Sequence, residues 1–114
     1  MNARERKEAL GANVEVRTSP IHGKGVFARR RIREGQWIGR FEGEATTKNG
    51  TYVLWLIDED GSELGIRGRN ALRFLNHGDP ENAEFVDADL HAVRNIQPGA
   101  EILIDYGEAW SADD

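Results

Sequence analysis

The sequence contains no cysteine. That excludes disulfides, a thiol nucleophile and every zinc site built on thiolates. Its 3 histidines, His22, His77 and His91, are well separated, so a His-rich metal cluster has no support and no metal is expected. No apolar run approaches the roughly 20 residues of a membrane span, and no membrane association is expected. The N-terminal stretch MNARERKEAL has charges but no apolar segment behind them. It is not read as a secretory leader, and a cytoplasmic location is expected. Basic residues are also short, with 15 Lys and Arg against 20 Asp and Glu, a net charge of −5. Phosphate affinity comes mainly from Lys and Arg, so no direct nucleic-acid binding is expected.

What is present suits one small domain of 114 residues with a modest core. The charge is uneven: residues 1–37 carry +5 and residues 38–114 carry −10. Such asymmetry suits a cationic partner, although a charge run is usually just a solvated face.

Residues 1–10 are polar and helix-permissive, a frayed end or short helix. Beyond them the pattern is short strands between turns. Strands are predicted at Val14–Arg17, Val26–Ala28, Trp37–Phe41, Thr51–Ile57, Ser62–Ile66, Leu90–Ile96 and Glu101–Tyr106. Asn49-Gly50 is the strongest short hairpin signal. Asp60-Gly61 and Pro98-Gly99 also read as turns, and Asn70–Leu75 as a single helical turn. The 13 glycines fit many tight turns. The domain is therefore mainly β, without the strand–helix alternation of a doubly wound sheet. Gly23-Lys24-Gly25 consequently does not read as a dinucleotide fingerprint, because no useful helix follows it and no acid stands in the expected place.

Four segments in order carry a more specific signal: GKGVFA at 23–28, FEGE at 41–44, RFLNHGDPEN at 73–82 and EILIDYG at 101–107. Together with IREG within Arg31–Gln36 and GTYVLWLID at 50–58, they resemble the SET domain, the non-Rossmann fold of protein-lysine methyltransferases that use S-adenosylmethionine. The resemblance covers residues 13–110. Residues 1–12 are left as a flexible or helical extension and residues 111–114 as a tail. It implies a β-clip-like fold of several small, short-stranded sheets with a C-terminal pseudoknot.

The resemblance also implies roles. Gly23, Lys24 and Gly25 resemble the loop that holds the methionine part of the cofactor, where small residues let backbone donors approach a carboxylate. Asn76 and His77 resemble the pair that lies against the cofactor; read alone, they would bond their own loops. Tyr106 resembles the catalytic tyrosine, with Asp105 and Gly107 as structural neighbours and Glu101 as a polar support. Tyr52 matches a tyrosine that contacts cofactor or the target lysine, a second catalytic candidate. Tyr52, Tyr106, Phe74 and Trp110 are the aromatic candidates for channel walls, although Phe74 and Phe27 read more simply as core.

The implied reaction moves a methyl group in line from a sulfonium to a deprotonated lysine amine. Alignment supplies much of such a barrier reduction. A free lysine has a pKa of ~10.4, and a narrow apolar channel beside a sulfonium disfavours its ammonium form. The reference pKa of tyrosine is ~10, so the Tyr106 hydroxyl is assigned to orienting the amine rather than to bulk base catalysis. The expected substrate is a basic protein or peptide segment. Asp58–Asp60, Glu108, Asp113 and Asp114 are candidates to steer it.

The sequence departs from the family pattern where the usual serine and cysteine after NH are replaced by Gly78 and Asp79. It also has no cysteine-rich flank, and it ends eight residues past Tyr106. The channel's last wall is therefore expected from Trp110, which would also touch cofactor, or from a second subunit in a homodimer. An inactive SET-like module that holds peptide or cofactor is the alternative function. The retained Tyr106, Asn76, His77 and Gly23–Gly25 favour the enzyme.

Overall fold

The first element begins with a reciprocal cap. The Asn2 side chain accepts the Glu5 N–H at 2.8 Å, and the Glu5 carboxylate accepts the Asn2 N–H at 3.1 Å. This satisfies donors that a helix start would otherwise leave open. Helix α1 (Ala3–Asn13) follows and ends where Val14 turns extended. Its last turn is anchored by two buried residues: Leu10 is 6% exposed, and Asn13 donates from Nδ2 to the Ile38 carbonyl at 2.9 Å. A Cβ on Gly39 would fall 2.5 Å from Leu10 Cδ1, so the absent side chain of Gly39 makes room for Leu10. The N-terminal segment is thus packed into the core through its last turn.

The computed structural model describes residues 1–50, 52–107 and 110–111, apart from the side chains of Trp110 and Ser111. Among them the fold is mainly β, in three small sheets. In the first, β1 (Val14–Thr18) pairs antiparallel with β2 (Lys24–Ala28), and β2 pairs antiparallel with β10 (Glu101–Ile104). Strand β10 in turn runs parallel to the two-residue β7 (Asn76–His77), with Leu103 opposite Asn76 and Ile104 opposite His77. In the second sheet, β6 (Glu63–Gly68) lies between β5 (Val53–Ile57) and β4 (Gly43–Thr46), and β11 (Trp110–Ser111) pairs with β5. In the third, β9 (Asp89–Ala92) lies between β3 (Trp37–Arg40) and β8 (Ala83–Val86). A 3-10 turn, η1 (Ala71–Phe74), precedes β7 and is capped by Asn70, whose side chain accepts the Leu72 N–H. Among the described residues no helix is long and apolar enough to cross a membrane.

The core sits where the sheets meet. Val26 and Ile102 come from the first sheet, Leu54 from the second, Ile38 and Leu90 from the third, and Leu72 from η1, all fully buried or nearly so. Burying one such side chain is worth roughly 1.5–3 kcal/mol. Phe41 and Phe85 close the core edge to face, with centroids 5.9 Å apart.

The pairing differs from the sequence expectation at one turn. Asn49-Gly50 does not close a hairpin, because β6 stands between β4 and β5. Asn49 instead accepts the Trp55 indole N–H at 3.3 Å. Pro98-Gly99 is a turn as expected, and it joins strands that belong to different sheets. There Gly99, at φ +84°, donates its N–H to the Ala28 carbonyl at 2.8 Å. Asp60-Gly61 does turn β5 into β6, with Gly61 at φ +85°. The short strands β4, β7 and β8 carry too few residues to show an alternating pattern by themselves.

Candidate active site

A cavity of about 530 Å³ opens between the β1–β2 turn, η1, β7 and the end of β10. Small-molecule clefts fall at roughly 300–1,000 Å³. Its wall includes Gly23, Lys24, Tyr52, Asn76, His77 and Tyr106, so four distant stretches of sequence converge there. Ile21, His22, Phe74 and Leu75 complete the wall. Sequence reasoning did not assign Ile21 and His22 to the site. The available signal was Ile21 itself, an apolar residue within turn chemistry, which the structure leaves 53% exposed.

Asn76 is the hub that holds these stretches together. Its side chain is buried, and Nδ2 donates toward three oxygens: Glu101 Oε2 at 2.8 Å, the Lys24 carbonyl at 3.0 Å and the His22 carbonyl at 3.2 Å. The Glu101 carboxylate also accepts the Ser19 hydroxyl at 2.8 and 2.9 Å. Ser19 then accepts the Ile21 N–H at 3.0 Å and gives its own N–H to the Gly23 carbonyl. One side-chain network therefore ties the Gly23–Gly25 turn to both β7 and β10. Such a network rigidifies a site because each buried polar group is satisfied.

The three residues of the turn have different surroundings. Gly23 has φ +44° and no heavy atom within 4 Å of where a Cβ would stand, so it leaves open space at the cavity wall. Lys24 starts β2 and holds Nζ 5.5 Å from the centroid of Phe74. Gly25 is not among the lining residues; a Cβ there would fall 2.3 Å from Glu101 Oε2 and 3.0 Å from Ser19 Cβ. The absent side chain of Gly25 makes room for the internal carboxylate of Glu101, not for a ligand.

Tyr106 stands two residues past β10. Its hydroxyl donates to the Leu75 carbonyl at 2.9 Å, and its N–H donates to His77 Nδ1 at 3.1 Å. The rings of His77 and Tyr106 are tilted at 59° with centroids 5.4 Å apart. A neutral His77 that accepts on Nδ1 carries its proton on Nε2. Asp105 Oδ1 lies 3.8 Å from the same nitrogen.

Tyr52 holds φ +64°, an uncommon region for a residue with a side chain. Its ring meets Phe74 edge to face at 5.6 Å. Phe74, a channel-wall candidate that reads more simply as core, lines the cavity, and Arg73 covers its ring at 4.3 Å. Phe27 is buried at 7% exposure, with Arg17 over its ring. The backbone of Trp110 pairs with Leu54, while its side chain lies outside the described residues, as do Glu108, Asp113 and Asp114.

The comparisons agree with this geometry. The family model of the SET domain matches residues 23–107. The chain is 31% identical over 122 residues to histone-lysine N-methyltransferase 2B of Homo sapiens, covering 88% of this chain and 4% of that protein. It is 30% identical to histone-lysine N-methyltransferase trithorax of Drosophila virilis, covering 93% of this chain and 3% of that protein. The chain thus spans only a small part of these relatives. Among solved structures, the methyltransferase domain of human PR domain-containing protein 2 superposes with a TM-score of 0.67 at 23% identity, over 88% of this chain and 80% of that one. A ctPRC2 structure in an autoinhibited conformation bound to S-adenosylmethionine superposes with a TM-score of 0.73 at 20% identity, over 87% of this chain and 16% of that one. The matched segment spans Gly23–Gly25, the Asn76-His77 strand and Tyr106, and this chain belongs to the SET domain family.

Proposed function

We propose that this chain is an S-adenosylmethionine-dependent protein-lysine N-methyltransferase acting on a basic protein segment. The convergence of Gly23, Lys24, Asn76, His77, Tyr52 and Tyr106 on one cavity is the observation that carries this reading. The residues present fit the cofactor: the cavity is of small-molecule size, Gly23 leaves space at its wall, and Lys24 supplies a cation suited to a carboxylate. When bound, the cofactor supplies an electrophilic methyl group on a sulfonium.

The chain's own residues bind, orient and exclude water. Asn76 acts through its neighbours, holding the His22–Lys24 backbone against β10. The Tyr106 hydroxyl commits its proton to the Leu75 carbonyl, so its oxygen serves as an acceptor. An acceptor there takes an N–H of the neutral lysine amine and turns the amine's lone pair toward the methyl group. Tyr52 and Phe74 give the amine an apolar, aromatic surround that disfavours its protonated form. The acidic hairpin at Asp58–Asp60 draws a cationic substrate from solution.

The test is labelled methyl transfer into a host lysate, with mass spectrometry of the acceptor site. Methyl-lysine should appear with the parent chain, and Tyr106→Phe should lower turnover by about 10²–10³-fold while cofactor still raises the melting temperature. A cofactor-dependent rise in melting temperature with no methylated product in any lysate supports the binding-module reading instead.

A further inference from the structure

A second groove, of about 570 Å³, lies between α1 and the segments at Glu42–Gly43 and Arg69–Arg73. It shares no lining residue with the cavity described above. Its helical wall follows the three-to-four spacing of one helix face, through Lys7 and Leu10 to Val14 at the helix end. Leu10 and Val14 belong to the core beneath it, at 6% and 2% exposure, and the accessible apolar floor is made by Ala3 and Ala71.

The rim has the opposite character. Lys7 stands on the helix wall, and Arg69 and Arg73 stand on the facing wall. The lining carboxylate, Glu42, is taken up by Arg6, whose Nε lies at 3.0 Å and Nη2 at 2.9 Å. Lys7 makes no ion pair among the described residues. Arg69 pairs with Glu44 at 2.8 Å, but the two side chains are 62% and 65% exposed, where such pairs contribute little. Arg73 donates from Nη1 to the carbonyls of Arg69 and Asn70 and lies over the Phe74 ring, and it pairs with no carboxylate among the described residues. In a chain of net charge −5, three cations around one apolar floor run against the overall balance.

We propose that this groove binds an acidic peptide segment of a partner protein that also carries apolar side chains. Its carboxylates meet Lys7 on one side and Arg69 and Arg73 on the other, while its apolar side chains settle on Ala3 and Ala71. Cations on both walls suit a chain running between them better than a single compact anion. The 11 residues of α1 extend ~16 Å, the length of about five extended residues. The proposal is independent of the methyl-transfer reading.

The test uses the full chain and a fluorescein-labelled peptide of alternating Glu and Leu, about ten residues long, roughly twice what spans the helix. Fluorescence anisotropy should show saturable binding. The double variant Lys7→Glu, Arg69→Glu should weaken it by about tenfold or more, with the melting temperature unchanged because both side chains are exposed. A peptide of alternating Lys and Leu should not bind. Equal affinity for the double variant, or equal binding of the Lys–Leu peptide, overturns the proposal. Displacement of the acidic peptide by millimolar inorganic phosphate also overturns it, reassigning the groove to a simple anion. Binding to anionic vesicles that the double variant abolishes, without peptide binding, reassigns it to a membrane surface.

Discussion

Asn76 and Glu101 lie 25 residues apart in sequence and 2.8 Å apart in the fold, the amide of one donating to the carboxylate of the other. Through this contact the turn at Gly23–Gly25 is held to the strand that leads to Tyr106. Neither side chain needs to react for the site to depend on both.

Asn76→Ala should lower stability by about 1–3 kcal/mol, because it leaves buried oxygens without their donor. Asn76→Asp should lower it further, since a second carboxylate would face Glu101. In both, the KM for cofactor should rise more than kcat falls. Denaturant titration and steady-state kinetics check this; an Asp variant as stable as the parent would contradict the assigned bond.

Gly23 and Gly25 should respond differently to alanine. Gly25→Ala places a methyl group against Glu101 and should lower stability by about 1–3 kcal/mol. Removing the carboxylate as well, with Glu101→Ala, should make the two effects non-additive. Gly23→Ala meets no atom within 4 Å but must hold φ +44°, a backbone cost of about 1–2 kcal/mol, and it narrows the cavity wall. Its cofactor affinity should fall without any coupling to Glu101. Double-mutant cycles read by thermal unfolding separate the two.

Replacing Asp58, Glu59 and Asp60 by their amides should lower kcat/KM for a basic peptide and flatten its salt dependence, with kcat unchanged. Asp60 accepts the Ser62 N–H at 2.9 Å, and this backbone bond holds its carboxyl below the ordinary value. The hairpin stabilisation it gives is present above the ordinary carboxylate range and lost as pH falls through the lowered pKa. Peptide kinetics at several ionic strengths are the measurement. A parent enzyme indifferent to salt would remove the steering role.

Leu10→Ala should lower stability by about 2–4 kcal/mol, the usual cost of emptying a buried leucine site. Thermal unfolding gives the answer. A neutral result would mean that α1 is detachable from the core.

Much of the site was legible because its motifs are local strings. Gly23-Lys24, Asn76-His77 and Tyr106 could be singled out with no knowledge of their contacts, and all line one cavity. Gly25 was legible as a glycine but not in its purpose, because its constraint comes from Glu101 on another strand. Phe74 looked like core because an aromatic beside Leu72 and Leu75 gives no sign that its ring faces both a core and a cavity. The groove beside α1 left no motif at all, since its two walls lie some sixty residues apart.

By itself the sequence determined what depends on neighbours along the chain. Asn2 and Glu5 cap a helix, Asp60-Gly61 turns a hairpin, and the alternating residues from Val14 and the apolar run from Val53 build strands. Tertiary structure alone decided which strands pair. It set β6 between β4 and β5, and β10 between β2 and β7. The physical reason is that alternation orients a strand's two faces but leaves both its edges open to any partner. Only the packing of the shared core selects among those partners, and the same selection brings Lys24, Asn76 and Tyr106 to one cavity.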